Sequence, residues 1–113
     1  MIITKDNINE FIDGTRMYCS NMGITYIDYI PPYLTSLECD NNKLTEIPEL
    51  TEGLKSLYCS DNQLTELPKL PESLEYIDCY NNNLPYIVTI ENLKEHNTLL
   101  KRKENIEIIL KEL

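Results

Sequence analysis

Four cysteines, Cys19, Cys39, Cys59 and Cys79, follow one another at a constant interval of 20 residues. Thiols at a fixed spacing can bind zinc, pair as disulfides or act as nucleophiles, so they are the first candidates for chemistry. The only histidine, His96, lies beyond the last cysteine. Which of these reactions is feasible depends on the elements that position the four thiols.

The residues around the cysteines repeat with the same period. Residues 34–53 and 54–73 share 11 identities in 20 positions, where unrelated sequences would share about one. Each unit reads Leu-x-x-Leu-x-Cys-x-x-Asn-x-Leu, and a weaker first copy keeps Met17 and Ile24 but has Met22 in place of the asparagine. The duplication predicts about four similar structural units.

Alternation of apolar and polar residues around each cysteine predicts a short strand. Leu37 and Cys39 are two residues apart, so both point to the core, while Ser36, Glu38 and Asp40 point outward. Prolines in the segments between the strands disfavour helices. We therefore expect a mainly β member of the α/β repeat class, with about four parallel strands on a concave face and extended convex returns.

This arrangement argues against a metal site at the cysteines. A column across four strands spreads the thiols over about 14 Å, whereas zinc ligands lie about 2.3 Å from one ion. Adjacent thiols would project in parallel, with Cβ atoms about 4.8 Å apart, slightly too far for a disulfide. We expect buried free thiols that act as small core side chains, and no metal or other cofactor.

The asparagines of the repeat, Asn42, Asn62 and Asn82, fall where the chain leaves each strand. A side-chain amide donates and accepts at once, so stacked asparagines can satisfy backbone groups of the turns. We expect a structural ladder of these asparagines together with the cysteine column. Deamidation or ligand binding at the asparagines is the alternative.

Both ends have the pattern of a helical cap. Near the N-terminus, Asp6 is placed to cap a short helix with an apolar face, and Gly14 to end it. We expect a single domain over residues 1–113, with an N-terminal cap at 1–13, four repeats at 14–90 and a helical C-terminal cap at 91–113.

The C-terminal helix is expected to start at Thr89 or Glu91. Its apolar face is formed by Leu93, Leu99, Leu100, Ile106, Ile109, Leu110 and Leu113. Whether the basic cluster Lys101-Arg102-Lys103 interrupts this helix is open at this stage. The cluster is either a solvated helix face or a docking site for an acidic partner.

The repeat motif resembles leucine-rich repeats of the short, 20-residue type. The segment Leu67-Pro68-Lys69-Leu70-Pro71 resembles the returns of bacterial effector repeats, and cysteine at the sixth place is similar to repeats in large DNA viruses. The resemblance implies a solenoid that binds other proteins. Cys59-Ser60-Asp61 resembles the catalytic motif of effector ubiquitin ligases, but there the cysteine lies in a separate helical domain that residues 91–113 are too few to form.

Composition narrows the range of partners. The chain carries 19 acidic and 10 basic residues, a net charge of -9, which disfavours nucleic acids and anionic membranes. Met1 is not followed by a basic leader and a long apolar stretch, so we expect a cytoplasmic protein, in the host cytosol if it is a viral protein or an effector.

The outward side chains of the strands are the candidate binding site. Tyrosine is frequent at binding hot spots, and carboxylates select cationic groups. The candidate residues are Tyr18, Glu38, Asp40, Tyr58, Tyr76, Asp78 and Tyr80. We expect a non-enzymatic module that binds a protein or peptide of basic or neutral character, as a monomer or with weak self-association. The alternatives are a recognition fragment or adaptor for a ubiquitin-ligase system, and a structural protein that self-associates through an incompletely covered edge.

Overall fold

A parallel sheet formed by the repeats is the central feature of the computed structural model, which describes residues 1–113. Its parallel strands are β3 (Arg16–Tyr18), β5 (Ser36–Glu38), β6 (Ser56–Tyr58) and β7 (Tyr76–Asp78). Each pairs with the next at an offset of 20 residues, so that Met17, Leu37, Leu57 and Ile77 lie side by side. The prediction of a mainly β fold with parallel strands is confirmed.

The N-terminal segment differs from the predicted helix. Strand β1 (Ile2–Ile3) pairs with β4 (Tyr26–Ile27), and β2 (Ile12–Asp13) adds an antiparallel fifth strand beside β3. Between β1 and β2 lies only a four-residue 3-10 helix, Ile8–Phe11.

The expectation that Asp6 caps an α-helix is wrong, and Asn7 explains why. Its side-chain oxygen accepts a hydrogen bond from the Thr4 amide at 2.8 Å, and its amide group donates to the Ile2 carbonyl at 3.0 Å. This local turn competes with helical hydrogen bonding. Gly14, at a φ of 64°, lies in the turn between β2 and β3 rather than at a helix end.

The core consists of columns of equivalent repeat residues. Leu34 stacks with Leu54 and Leu74 of the following repeats, and the second leucine, the cysteine and the third leucine of the motif form further columns. Burying each leucine stabilises the fold by roughly 1.5–3 kcal/mol. Burial weakens at the last repeat, where Ile77 and Leu84 are only half-buried.

The returns between strands contain no helix, and the only α-helix is α1, Leu93–Glu112. The predicted C-terminal helix is confirmed, and it continues without a break through residues 101–103. It begins later than expected because Asn92 and Thr89 form a turn, in which the Asn92 side chain accepts from the Thr89 amide at 2.8 Å. No helix of the protein combines the length and apolar character needed to cross a bilayer.

The prediction that the apolar face of α1 covers the last repeat is wrong for most of its residues. Leu93 is buried and Leu100 half-buried. The others are exposed, namely Leu99, Ile106, Ile109, Leu110 and Leu113. Every residue from 101 to 113 is exposed, because Val88, Leu93 and His96 already fill the contact between α1 and the repeats.

Candidate functional site

The candidate site is the outer strand face, defined here as the side chains that β3, β5, β6 and β7 and the residues after them direct away from the core. It contains all seven candidate binding residues. Tyr18, Tyr76 and Tyr80 are exposed. The other four are half-buried, namely Glu38, Asp40, Tyr58 and Asp78.

Strand register aligns these residues in rows. One row runs Tyr18, Glu38, Tyr58, Asp78 across neighbouring strands, so aromatic and acidic side chains alternate. The ring centroids of Tyr58 and Tyr76 are 5.0 Å apart with a 35° tilt, a favourable aromatic contact. The row presents flat apolar surface and negative charge at about 4.8 Å steps.

Ser36, which was expected to point outward, proves to be buried, and so is Ser60. The expectation that Ser36 is exposed is wrong. It lies between Arg16 and Ser56 on the neighbouring strands, and its short side chain stays close to the backbone of the sheet. Ser60 has a bonding role in addition. Its hydroxyl donates to the Asp78 carboxylate and accepts from the Tyr80 amide at 3.1 Å.

The acidic residues on this face influence one another. The Asp40 carboxylate accepts from the Ser60 amide at 2.7 Å. Burial raises the pKa of Asp40, and the nearby carboxylates of Asp78, Asp61 and Glu38 raise it further, although the Ser60 bond opposes them. A cation placed among these carboxylates would relieve their mutual repulsion.

The asparagine column lies at the end of the strands, and each member bridges two repeats. The Asn62 amide group donates to the carbonyls of Cys39, Cys59 and Ser60, while its oxygen accepts from the Leu44 amide. Asn42 and Asn82 make equivalent bonds. Each asparagine reaches back to the preceding repeat, so Met22 of the first repeat has no earlier turn to bridge.

Sequence reasoning missed a second polar column beside this one. Asn21, Asn41, Asp61 and Asn81 all have φ between 54° and 59°, the left-handed region. Asparagine and aspartate tolerate this conformation better than other residues with side chains. The signal was an Asn or Asp at the same place in all four repeats. Asn81 donates to the Asp61 carboxylate at 2.8 Å, so the column also links adjacent turns.

The cysteines form a buried column of free thiols. The Cys19 and Cys39 thiols donate to the Glu38 and Tyr58 carbonyls at 3.3 Å, and Cys79 donates to Val88. Burial raises the pKa of Cys19 to about 12 and raises the pKa values of the other three thiols. Such thiols are weak nucleophiles, Cys59 of the Cys59-Ser60-Asp61 motif included.

The family model of the Leucine Rich Repeat matches residues 53–72, which contain strand β6 and the return that follows it. These residues form a leucine-rich repeat. Repeats of this family generally mediate protein–protein interactions and are typically non-enzymatic. No curated protein matches the sequence.

Two features of the structure bear on catalysis and metal binding. No three His, Cys, Asp or Glu side chains converge as a metal site would require. His96 is buried, with Nε2 3.0 Å from the Pro68 carbonyl and Nδ1 2.7 Å from the Tyr86 hydroxyl. Because a carbonyl only accepts, Nε2 carries the proton in neutral His96 and the Tyr86 hydroxyl donates to Nδ1. Both nitrogens are occupied, Nε2 by the return of the third repeat and Nδ1 by the return of the fourth, and both bonds hold α1 in place.

Proposed function

We propose that this protein is a non-enzymatic interaction module whose outer strand face, the concave face of the repeat array, binds a protein or peptide of basic or neutral character. The alternating row of Tyr18, Glu38, Tyr58 and Asp78 is the observation that carries the proposal. The cytoplasmic location, the division into one domain and the ubiquitin-ligase adaptor remain predictions.

The chemistry of the row supports a cationic ligand. Lysine and arginine side chains bind both to aromatic faces and to carboxylates. Tyrosine rings and carboxylates alternate along the row. Arg16 is the only basic residue on this face and lies on β3, toward one side of the sheet. A basic segment that crosses the strands would therefore meet negative charge over most of its length.

The binding energy should come from the tyrosines and the association rate from the acids. Tyr76 and Tyr80 expose about half or more of their surface, 48% and 64%, and would lose it to a bound partner. Buried aromatic contacts chiefly slow dissociation, whereas charges steer the encounter.

The test begins with peptides selected from a random display library against the intact chain. We expect enrichment of lysine and arginine in the selected peptides. Tyr76→Ala should speed dissociation of such a peptide at least tenfold, whereas Tyr33→Ala, which removes an equally exposed tyrosine (51%) from a return, should not.

The role of the charges is tested with two double variants. One removes two carboxylates from the outer strand face, Glu38→Gln with Asp78→Asn, and the control removes two from the returns, Glu46→Gln with Glu52→Gln. Glu66 is unsuitable as a control because it pairs with Lys103 at 3.3 Å. We expect slower association only for the first pair, with the difference fading as salt rises. Equal effects of the two pairs, or no effect of Tyr76→Ala, would overturn the assignment of this face.

A further inference from the structure

The exposed part of α1 carries an apolar stripe whose aliphatic members all remain exposed to solvent. Its members recur at alternating spacings of four and three residues, namely Leu99, Lys103, Ile106, Leu110 and Leu113. We call these five residues the α1 seam. Four are aliphatic, and their exposed fractions range from 46% to 95%. At 3.6 residues per turn the seam spans an arc of about 80°, the width of a coiled-coil contact.

Lys103 does not interrupt the seam. Its ammonium group pairs with Glu66 of its own chain at 3.3 Å, so the charge is held toward the repeats. The aliphatic part of the lysine side chain can then lie among the neighbouring leucines and Ile106.

The seam lies to one side of the surface by which α1 packs on the repeats. The residues that fix α1 to the repeats are Leu93, His96, Asn97 and Leu100, and the Asn97 side chain bonds both backbone groups of Leu70 at 2.8 Å. On the helix surface these residues are centred roughly 110° from the seam. A helix packed against the seam therefore does not displace the residues that fix α1 to the repeats.

Such a stripe is unusual on a protein that has no partner. Soluble proteins rarely expose large contiguous apolar patches. Beyond Lys103 no side chain of α1 forms a hydrogen bond or ion pair with the repeats, and a projecting helical segment of this length is marginally stable unless it packs.

Charges beside the seam show what fits it. Arg102 flanks one side and Glu107 the other, and neither has an ion-pair partner in its own chain. In a parallel coiled coil these are the two flanking positions, g and e, that form ion pairs between helices. Arg102 of one helix would lie opposite Glu107 of the other. The flanks of α1 are thus complementary to those of a second, identical α1.

We propose that α1 pairs in parallel with α1 of a second copy of this chain through the α1 seam, forming a two-fold symmetric dimer. The seam covers only two heptads, whereas standard interfaces use roughly 20–30 residues a side. The dimer is therefore weak and reversible.

Sedimentation velocity over a wide range of concentration tests the proposal. The intact chain should show a monomer–dimer equilibrium, and Ile106→Glu should weaken it at least tenfold, because symmetry places the substitution in the interface twice. Ile108→Glu is the matched control, since Ile108 is 55% exposed against 57% for Ile106 but lies on the opposite side of α1. It should leave the equilibrium unchanged.

A charge exchange tests the parallel orientation. Arg102→Glu should weaken the dimer, Lys101→Glu on the far side should not, and adding Glu107→Arg to Arg102→Glu should restore it. A chain that stays monomeric at all concentrations overturns the proposal, as do equal effects of Ile106→Glu and Ile108→Glu or a failed restoration. A monomer that sediments with vesicles of anionic phosphatidylglycerol would assign the seam to a lipid surface instead.

Discussion

Replacing Asn62 with alanine should reveal how much the asparagine column contributes to stability. The side chain makes four hydrogen bonds of 3.1–3.2 Å inside the turn. Three of the backbone groups keep another partner, because the Cys39 carbonyl is also bonded by Asn42, the Cys59 carbonyl by Asn82 and the Ser60 carbonyl by a backbone amide. Only the buried Leu44 amide loses its sole partner.

One unpaired buried amide costs about 1–3 kcal/mol, so we expect a loss of about 2 kcal/mol in the free energy of unfolding. With a typical urea dependence for a chain of this size, the unfolding midpoint falls by about 1 M. Asn42→Ala should cost more, because it strands both the Ile24 amide and the Cys19 carbonyl.

Urea unfolding followed by circular dichroism measures the three variants Asn42→Ala, Asn62→Ala and Gln63→Ala. Gln63 is the control because its side chain is exposed and its backbone amide keeps the bond to Leu44. The expected order of loss is Asn42, then Asn62, then Gln63 with almost none. Equal midpoints for Asn62→Ala and Gln63→Ala would refute the reasoning.

Three further outcomes are expected. At pH 8 the four thiols should not react with a chromogenic disulfide reagent until the chain unfolds, since the pKa of Cys19 is about 12; fast release from folded protein would contradict this. Folding raises the pKa of Asp40, so the folded state holds the proton of this carboxyl more tightly than the unfolded state does. The resulting contribution to the free energy of unfolding is present at low pH and is lost as pH rises through the pKa of the folded state. Asp40→Asn should therefore gain stability relative to the parent as pH rises above the ordinary aspartate pKa of about 3.9, whereas parallel pH curves would argue against it. His96→Ala removes two of the hydrogen bonds that hold α1, so amide exchange at the start of α1 should accelerate while β5 and β6 stay protected; unchanged exchange in α1 would show that other contacts suffice.

The sheet could be predicted because its information is periodic. A repeat of 20 residues fixes which residues lie side by side, and alternation around Leu37 and Cys39 fixes which of them face the core. The same reasoning places Tyr18, Glu38 and Tyr58 in one row. Small side chains escaped it, because alternation gives the direction of Ser36 but not how far its short side chain extends from the backbone of the sheet.

The ends could not be predicted to the same degree because they do not repeat. The helix expected after Asp6 gave way to a turn made by Asn7, a competition between local hydrogen bonds that apolar spacing does not register. Apolar spacing correctly indicated α1. It could not show that Leu99 and residues 101–113 face solvent, since amphipathic spacing identifies a face and not its partner.

The two ends of the repeat array are covered to different extents. This matters because each repeat packs only against the repeats or segments next to it. The first repeat is hydrogen-bonded on its outer side by β2 and β1, which bring the buried Ile3 and Ile8 to the core. The last repeat has β7 as an edge strand, and only the segment leading into α1 covers its core. Because each repeat is stabilised chiefly by its neighbours, the fourth repeat depends on the third repeat on one side and on that segment alone on the other. The bonds of His96 to Pro68 and Tyr86 therefore support the strand that carries Tyr76 and Asp78, and so connect the anchoring of α1 to the geometry of the proposed binding face.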